Sequence, residues 1–510
     1  MAAIIDARTL PDGETVTPDL AIIGGGPAGI TLALALKDTP VTILLLEAGG
    51  NEFDPAVQDA YKGSEEGDAP YWKLDESRLR YFGGTSNHWG GWNRPLDAFD
   101  FEKRDGIDHS GWPFGIEALQ SYYPRAQALI EAGPWLYDQA ARRITSGDKT
   151  IELGEGGVYT SWFQFSKTKD GDLPTSFGKR YEGDLKAAPR VTTWLNGAVT
   201  ALRLSANAQR IEELEVRADA KRLTVRPRFT VLAGGAIENA RLLLAANDVM
   251  KSGIGNQNDQ VGRFFADHPI PREVATLVLF DGRFPRTYFS GQGVNNAFPL
   301  PDGTPVRAVF APTSDYIRSA KTIGSLTTVD RPVPMTEAMG EAVAATAQML
   351  GVNASKARPY ALGCGIEPTP DPDRRVTLTG ERDALGTPRV KLHVTLPDRD
   401  FDRYRLTLRE LGRQLLVSKA GMLRMNRASR AEWLQSIPGR DGWGSHHMGT
   451  TRMHGDPKQG VVDANSKIHG VGNLYIAGSS VFPTYGSSNP TLNLIALTLR
   501  LGDHLKTVLA

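Results

Sequence analysis

The sequence predicts an α/β chain, α+β overall. A discontinuous α/β unit on a parallel sheet is interrupted by a second unit on an antiparallel sheet. Three observations predict this. A short apolar run, Asp19 to Ile23, ends in glycines and is followed by an Ala-rich helical stretch and a second apolar run, Val41 to Leu46. Strand-length apolar runs return at 190–232 and again at Asn473 to Ala477, each of these two regions ending in small residues and a helix. Between them, residues 270–440 carry alternating runs separated by polar turns, the pattern of antiparallel strands.

The elements follow in order. Asp19 to Ile23 suits a buried parallel strand, Gly29 to Leu36 a helix, and Val41 to Leu46 the next strand, a βαβ unit of about 30 residues. Asn51 to Arg80 is polar and rich in turn formers, an excursion from the sheet. The glycine-dense stretch Gly83 to Gly91 follows. Val191 to Leu195, Val199 to Leu204, Ile211 to Val216, Leu223 to Val225 and Phe229 to Leu232 read as returning strands plus a meander. Gly234-Gly235 then opens a helix over Ala236 to Ala246. Val274 to Phe280, Val306 to Ala311, Tyr360 to Ile366 and Val390 to Val394 are the antiparallel candidates. Phe401, Tyr404, Leu408, Leu411 and Leu415 form one apolar stripe at helical spacing, a helix lying on a sheet. Pro332 to Tyr360 has the Met, Ala and Gly composition of a flap, and the substrate-side loops around 290–360 match nothing recognisable. The expected nucleotide-binding domain comprises 1–110, 190–270 and a C-terminal part at 441–510, and the substrate domain 111–189 and 271–440.

Composition narrows the function. The 510 residues hold 58 Lys plus Arg against 58 Asp plus Glu, which leaves no electrostatic footprint for nucleic acid or an anionic membrane. One cysteine, Cys364, excludes intrachain disulfides and Cys-rich metal sites. The first nineteen residues contain Asp6, Asp12, Glu14 and Asp19 and no apolar core, so no signal peptide is expected there. The longest uncharged run, Leu20 to Leu36, is interrupted by Gly24, Gly25, Gly26, Pro27 and Gly29, which argues against a membrane anchor. A cytoplasmic protein is expected.

Gly24-x-Gly26-x-x-Gly29 lies between a predicted strand and helix. The first glycine permits a tight turn, the second admits a pyrophosphate to the backbone, and the third lets helix and strand pack closely. The helix start, with Pro27 and Ala28, offers free N–H groups to the anion. Glu47 ends the next strand, about 20 residues on, where a carboxylate accepts ribose hydroxyls. An acid there opposes a 2′-phosphate, so FAD or NAD fits better than NADP. Asn473 to Ala477, then Gly478-Ser479-Ser480 and a helix from about Pro490, would bring a second set of N–H groups to the same cofactor, an arrangement more typical of flavoproteins.

Nine histidines are present. His446 and His447 sit in Gly444-Ser445-His446-His447-Met448-Gly449-Thr450, and a histidine in such a turn suits a general base. No metal site is expected, because the spacing of His446, His447 and His454 supports none. Asn489 precedes Pro490, so it reads equally as a helix cap or a polar partner of the base.

These motifs together resemble the glucose-methanol-choline (GMC) flavin oxidoreductases over nearly the whole chain. The matching pieces are G-G-G-P-A-G at 24–29 with Glu47, F-G-G-T-S-N-H-W at 82–89 and S-G-W-P at 110–113. V-L-A-G-G-A-I-E-N-A-R-L-L-L at 231–244, V-G-R-F-F-A-D-H-P at 261–269, H-H-M-G-T-T-R-M at 446–453, V-V-D-A-N-S-K at 461–467 and S-S-N-P-T-L at 487–492 complete the set. The resemblance implies a Rossmann-like FAD-binding domain with an antiparallel-sheet substrate domain. It implies FAD contacts from Gly83, Gly84, Thr85, Ser86, Asn87, His88, Val199, Ala233, Gly234, Gly478, Ser479, Pro490 and Thr491, beside the Gly24–Gly29 turn and Glu47. The family's catalytic histidine falls on His446 and its second member on Asn489. His446 takes the hydroxyl proton, the carbon gives hydride to the flavin, and Asn489 orients the substrate oxygen.

Within the family, the segment around His88 and the C-terminal P-T-Y-G-S-S-N-P-T-L are most similar to pyranose 2-oxidase and to bacterial sugar and glycoside 3-oxidases or dehydrogenases. That similarity implies oxidation of a secondary pyranose hydroxyl to a keto-sugar, with Trp443, His447 and Tyr485 as candidate substrate contacts; Trp443 and Tyr485 read equally as core packing beside the catalytic loops. His88 either carries the FAD covalently or packs beside its ring. A non-sugar alcohol substrate, an NAD-dependent dehydrogenase and a non-catalytic nucleotide-fold binding protein are the competing readings. Oxygen or another electron acceptor, and a homo-oligomer or redox partner subunit, stay open.

Overall fold

The computed structural model describes residues 3–144, 149–167, 174–289, 297–427 and 429–510. Six parallel strands form one sheet in the order Ala3–Asp6, Val191–Leu195, Ile43–Leu46, Leu20–Ile23, Phe229–Leu232 and Leu474–Ile476. Leu20–Ile23 and Ile43–Leu46 are buried along their whole length, as a sheet covered on both faces requires. Ile22 stands in register between Leu45 and Val231. Each such buried Ile or Leu stabilises the sheet by about 2–3 kcal/mol.

Leu20–Ile23 is the switch point of this sheet. From it the chain leaves through the helix Pro27–Leu36 to a neighbour on one side, Ile43–Leu46, and its neighbour on the other side, Phe229–Leu232, arrives much later. Such a reversal opens a crevice at the carboxyl ends of the strands, which here is the Gly24 turn. The helix Pro490–Leu509 packs against Pro27–Leu36, so the two ends of the chain meet beside that crevice. The meander Ala198–Leu204, Ile211–Ala218 and Lys221–Val225 flanks the sheet, with Thr15–Val16 at its edge.

The second large sheet is antiparallel. Its order is Gly421–Met425, Ala275–Leu279, Arg358–Ile366, Ser325–Pro332, Pro305–Pro312, Val158–Phe165 and Trp92–Asn93, with Phe298–Pro299 pairing onto Pro305–Pro312. The helix Asp398–Val417 lies against it through Phe401, Tyr404, Leu408, Leu411 and Leu415, the stripe read from the sequence.

Several elements differ from expectation. Ser325–Pro332 is an inner strand, buried over most of its first five residues, despite its polar sequence, because both neighbours supply its hydrogen bonds. Gly63–Gly67, with no strand propensity, is held by parallel pairing to Pro388–Val394. About half of the stretch read as a flap, 332–360, is a capped helix, Glu337–Leu350. Thr336 accepts from the Met339 N–H at one end and Gly351 (φ +64°) stops the other, while Met339, Val343 and Ala347 are buried, the first two in a small core with Val278 and Phe280. Residues 290–296 of the expected substrate-side loops lie outside the described residues. Among the described residues no helix is long and apolar enough to cross a membrane.

Candidate functional site

A cavity of about 400 Å³ opens at the switch point, lined by residues from 24–92, 233–237 and 444–494, so that both ends of the chain contribute to it. Gly24 forms the tight turn at φ +119°, and a Cβ there would stand 2.5 Å from the Ala233 carbonyl oxygen. Three helices start at the cavity: Pro27–Leu36 after Gly26, Ala236–Ala245 after Gly235, and Pro490–Leu509 after Asn489. None of these three caps uses a side-chain hydrogen bond, so the first-turn N–H groups are not spent on capping. Three helix starts converging on one space suit a pyrophosphate. Glu47 is buried and accepts from the Gly25 N–H (2.8 Å) and the Gly49 N–H (2.9 Å). Each of its oxygens keeps a second acceptor position for a ribose hydroxyl. Burial raises its carboxyl, and the N–H groups of Gly49 and Gly25 oppose that. The donor and acceptor set fits a flavin adenine dinucleotide.

Gly24, Gly26, Pro27, Ala28, Glu47, Gly84, Thr85, Ser86, His88, Ala233, Gly234, Gly478, Ser479, Pro490 and Thr491 all line this cavity, as do His446, His447 and Asn489. The other expected contacts stand outside its wall. Gly29 packs the helix onto the turn; a Cβ there would overlap the Gly24 oxygen. Gly83 (φ +95°) donates its N–H to the Gly25 oxygen at 2.8 Å and so ties the two glycine turns together. Asn87 turns back on its own loop, donating to the Phe82 carbonyl at 2.9 Å. Val199 is buried in the meander opposite Val216. Trp443 and Tyr485, expected among the substrate contacts, are set behind the wall. Trp443 donates Nε1–H to the Pro70 carbonyl at 2.6 Å, and the fully buried Tyr485 donates its hydroxyl to the Phe264 carbonyl at 2.7 Å. Hydrogen bonding to buried carbonyls satisfies both groups and leaves them as packing residues.

The polar end of the cavity is assembled by two extended segments. Ala266 and Met448 exchange backbone hydrogen bonds, and the Gly444 N–H donates to the His268 carbonyl at 3.0 Å. This pairing lays Asp267 and His268 beside His446. His268 Nδ1 is 2.8 Å from His446 Nδ1, and His268 Nε2 is 2.8 Å from the Gly486 carbonyl. Asp267 Oδ1 accepts the His446 backbone N–H at 2.7 Å, and its Oδ2 accepts the Tyr71 hydroxyl at 2.8 Å. Tyr71 has one proton and gives it to Asp267, so at 2.9 Å it accepts from His447 Nε2–H. Asn489 occupies the cap position of the last helix, yet its side chain makes no cap bond, and it lines the cavity.

Burial sets the protonation of this cluster. It pushes the His446 imidazolium well below its usual value, His268 down to about 4 and His447 down to about 3. It also pushes the Asp267 carboxyl up to about 6, against the N–H and O–H groups that donate to it. At neutral pH the cluster is three neutral imidazoles beside one carboxylate.

Sequence reasoning missed Asp267, His268 and Tyr71 as site residues. The first two stood in F-F-A-D-H-P, where two adjacent polar, titratable residues between aromatics and proline were the available signal. It also missed the tryptophans Trp72, Trp89 and Trp92 on the cavity wall. Trp89 is fixed by donating to the Thr175 carbonyl at 2.9 Å, and Trp92 by packing on Phe163 and Phe165. A buried charge cluster borders the cavity as well. Arg78 lies 3.9 Å over the Tyr61 ring, and Glu238 receives Arg78, Arg80 and Arg241. Burial alone would raise the Glu238 carboxyl; the three guanidiniums override it and hold it at about 2. Among the described residues no group of three or more His, Cys, Asp or Glu is placed to hold a metal ion.

Comparison with known proteins agrees with this geometry. Residues 370–498 match the model of the GMC oxidoreductase family. The chain is 24% identical to a C-glycoside 3-oxidase of Microbacterium trichothecenolyticum, the match covering 96% of each chain. It is 23% identical to the fructose dehydrogenase large subunit of Gluconobacter japonicus, covering 96% of this chain and 98% of that one. Among solved structures, pyridoxine 4-oxidase from Mesorbium loti superposes with a TM-score of 0.60 at 18% identity, covering 95% of this chain and 98% of that chain. The likeness to that oxidase is one of fold.

Proposed function

We propose that this chain, a GMC flavin oxidoreductase that takes FAD, oxidises a secondary hydroxyl of a pyranose sugar or glycoside to the keto-sugar. The observation that carries the catalytic part is that His446 and Asn489 line the same cavity, with the Asn489 carboxamide not used as a helix cap. FAD, when bound, supplies the two-electron acceptor for the hydrogen that leaves the carbinol carbon, and oxygen or another acceptor later takes the electrons.

The chain's own residues handle the proton. Burial keeps the His446 ring neutral and therefore able to accept it. As the substrate O–H loses its proton to His446, negative charge builds on that oxygen. The Asn489 amide, held by the helix start, is a fixed donor for it. Both groups converge on the one atom whose charge changes, so they fix its orientation as well as its charge. The sugar assignment rests on the tryptophan-rich wall, whose flat faces suit the C–H faces of a pyranose, together with the two sugar-acting relatives.

His446→Ala tests the catalytic part. The variant is expected to retain FAD and to reduce it about 10²–10⁴-fold more slowly when substrate is added. Reduction at the parent rate would remove His446 as the proton acceptor.

A further inference from the structure

We propose that His268 is a positioning residue that fixes the tautomer of His446 and ties it to the turn carrying Asn489. This deepens the proposed role of His446 and rests on it.

The argument follows the protons. The Gly486 carbonyl can only accept, so His268 Nε2, at 2.8 Å, must carry a hydrogen and donate it. A neutral imidazole has one hydrogen, which leaves His268 Nδ1 with a lone pair. His446 Nδ1, 2.8 Å away, must therefore be the donor in that contact. His446 then holds its single hydrogen on Nδ1, away from the substrate, and its Nε2 carries the lone pair that a proton acceptor needs. Burial keeps both rings neutral, which is the condition the argument requires. With the opposite tautomer the two facing Nδ1 atoms would both be lone pairs, and a buried contact would become repulsive.

The same bond joins the two catalytic partners. Gly486 lies three residues before Asn489, and its peptide is held from the other side as well: its N–H donates to Glu367 Oε1 at 3.1 Å. Glu367 is fully buried, accepts the Gly324 N–H, and is paired in two-pronged fashion with the buried Arg104. A path of buried polar contacts thus runs from the Arg104–Glu367 ion pair through Gly486 to His268 and His446. Sterics restrict the ring as well: a Cβ on Gly444 would overlap His446 Nδ1. His446 is placed by a glycine that leaves it room and a histidine that selects its hydrogen.

The test reads protonation directly. Nitrogen-15 NMR of the FAD-loaded enzyme, labelled in histidine and assigned with His446→Asn, is expected to show His446 protonated at Nδ1 and bare at Nε2. Protonation at Nε2 would overturn the proposal, whatever His446→Ala does to activity. Two variants separate the donor and acceptor functions. His268→Asn places an acceptor near the former Nδ1 and is expected to hold the His446 tautomer, with flavin reduction within about 10-fold of the parent. His268→Gln reaches Gly486 but offers His446 no matched acceptor. It is expected to lose about 10²–10⁴-fold in kcat with KM changed less than about threefold, by analogy with the loss of tautomer control in other histidine bases. Equal rates for the two variants with an unchanged His446 tautomer would show that His268 only packs. The NMR result on the unmodified enzyme decides the case even if a variant does not fold.

Discussion

Asp267→Asn should separate the stability of this enzyme from its activity. Asp267 is buried, and burial raises its carboxyl from 3.8 to about 6. A carboxyl raised in the folded state binds its proton there over a range in which the unfolded chain has lost it. Stability therefore falls as pH rises from about 4 to about 6, and the deficit persists above that window. At about 1.4 kcal/mol per unit, a shift of this size corresponds to about 3 kcal/mol. The substituted side chain carries no charge, and its amide oxygen can still accept the His446 N–H that Oδ1 accepts at 2.7 Å. The variant should thus match the parent near pH 4 and exceed it in guanidinium unfolding by about 1–3 kcal/mol at pH 7.5. Its amide nitrogen would meet the Tyr71 hydroxyl as a second donor, reversing the Asp267–Tyr71–His447 chain. Substrate-driven flavin reduction should fall by at least about tenfold. Measuring unfolding at both pH values alongside the reduction rate checks each part. A variant less stable than the parent at pH 7.5, or a difference that does not change with pH, would refute the assignment of Asp267 as a buried carboxylate held at a stability cost.

Three further expectations follow from the same geometry. Asn489→Ala removes a cap-position residue that makes no cap bond, so the melting temperature should move little while kcat falls about 10²–10³-fold; a large loss of stability at unchanged kcat would return Asn489 to a capping role. Glu367→Gln leaves Arg104 buried without its carboxylate partner, and should destabilise the protein by about 3–5 kcal/mol in chemical denaturation; a neutral effect would show that Asp100 takes over the pairing. Acid precipitation should release all the FAD into the supernatant, with His88 packing beside the cavity; a pellet that stays yellow would assign a covalent bond, which His88→Ala must then abolish.

The parts of this molecule that were legible in its sequence are those where local chemistry and fold agree. The Gly24–Gly29 turn, Glu47 at the end of its strand, and the helix stripe from Phe401 to Leu415 each carry their reason in their own spacing. Gly63–Gly67 and Ser325–Pro332 do not, because their strands exist only through partners distant in the chain. The same division holds in the site. His446 and Asn489 stand in small-residue turns that signal an approach to a ligand. His268 and Tyr71 owe their roles to contacts 178 and 376 residues away, which no local pattern encodes. Residue type leaves Trp443 and Tyr485 open between substrate contact and core packing; a buried carbonyl satisfies each polar tip, and only tertiary packing decides that.

The most direct measurement is an anaerobic visible spectrum of the FAD-loaded protein before and after adding glucose and a simple glucoside. The account predicts an oxidised-flavin band that bleaches with at least one of them, with a keto-sugar in the mixture. A band that persists with both sugars, yet bleaches with a simple non-sugar alcohol, would contradict the pyranose assignment and leave the His446 and Asn489 chemistry to serve a different substrate.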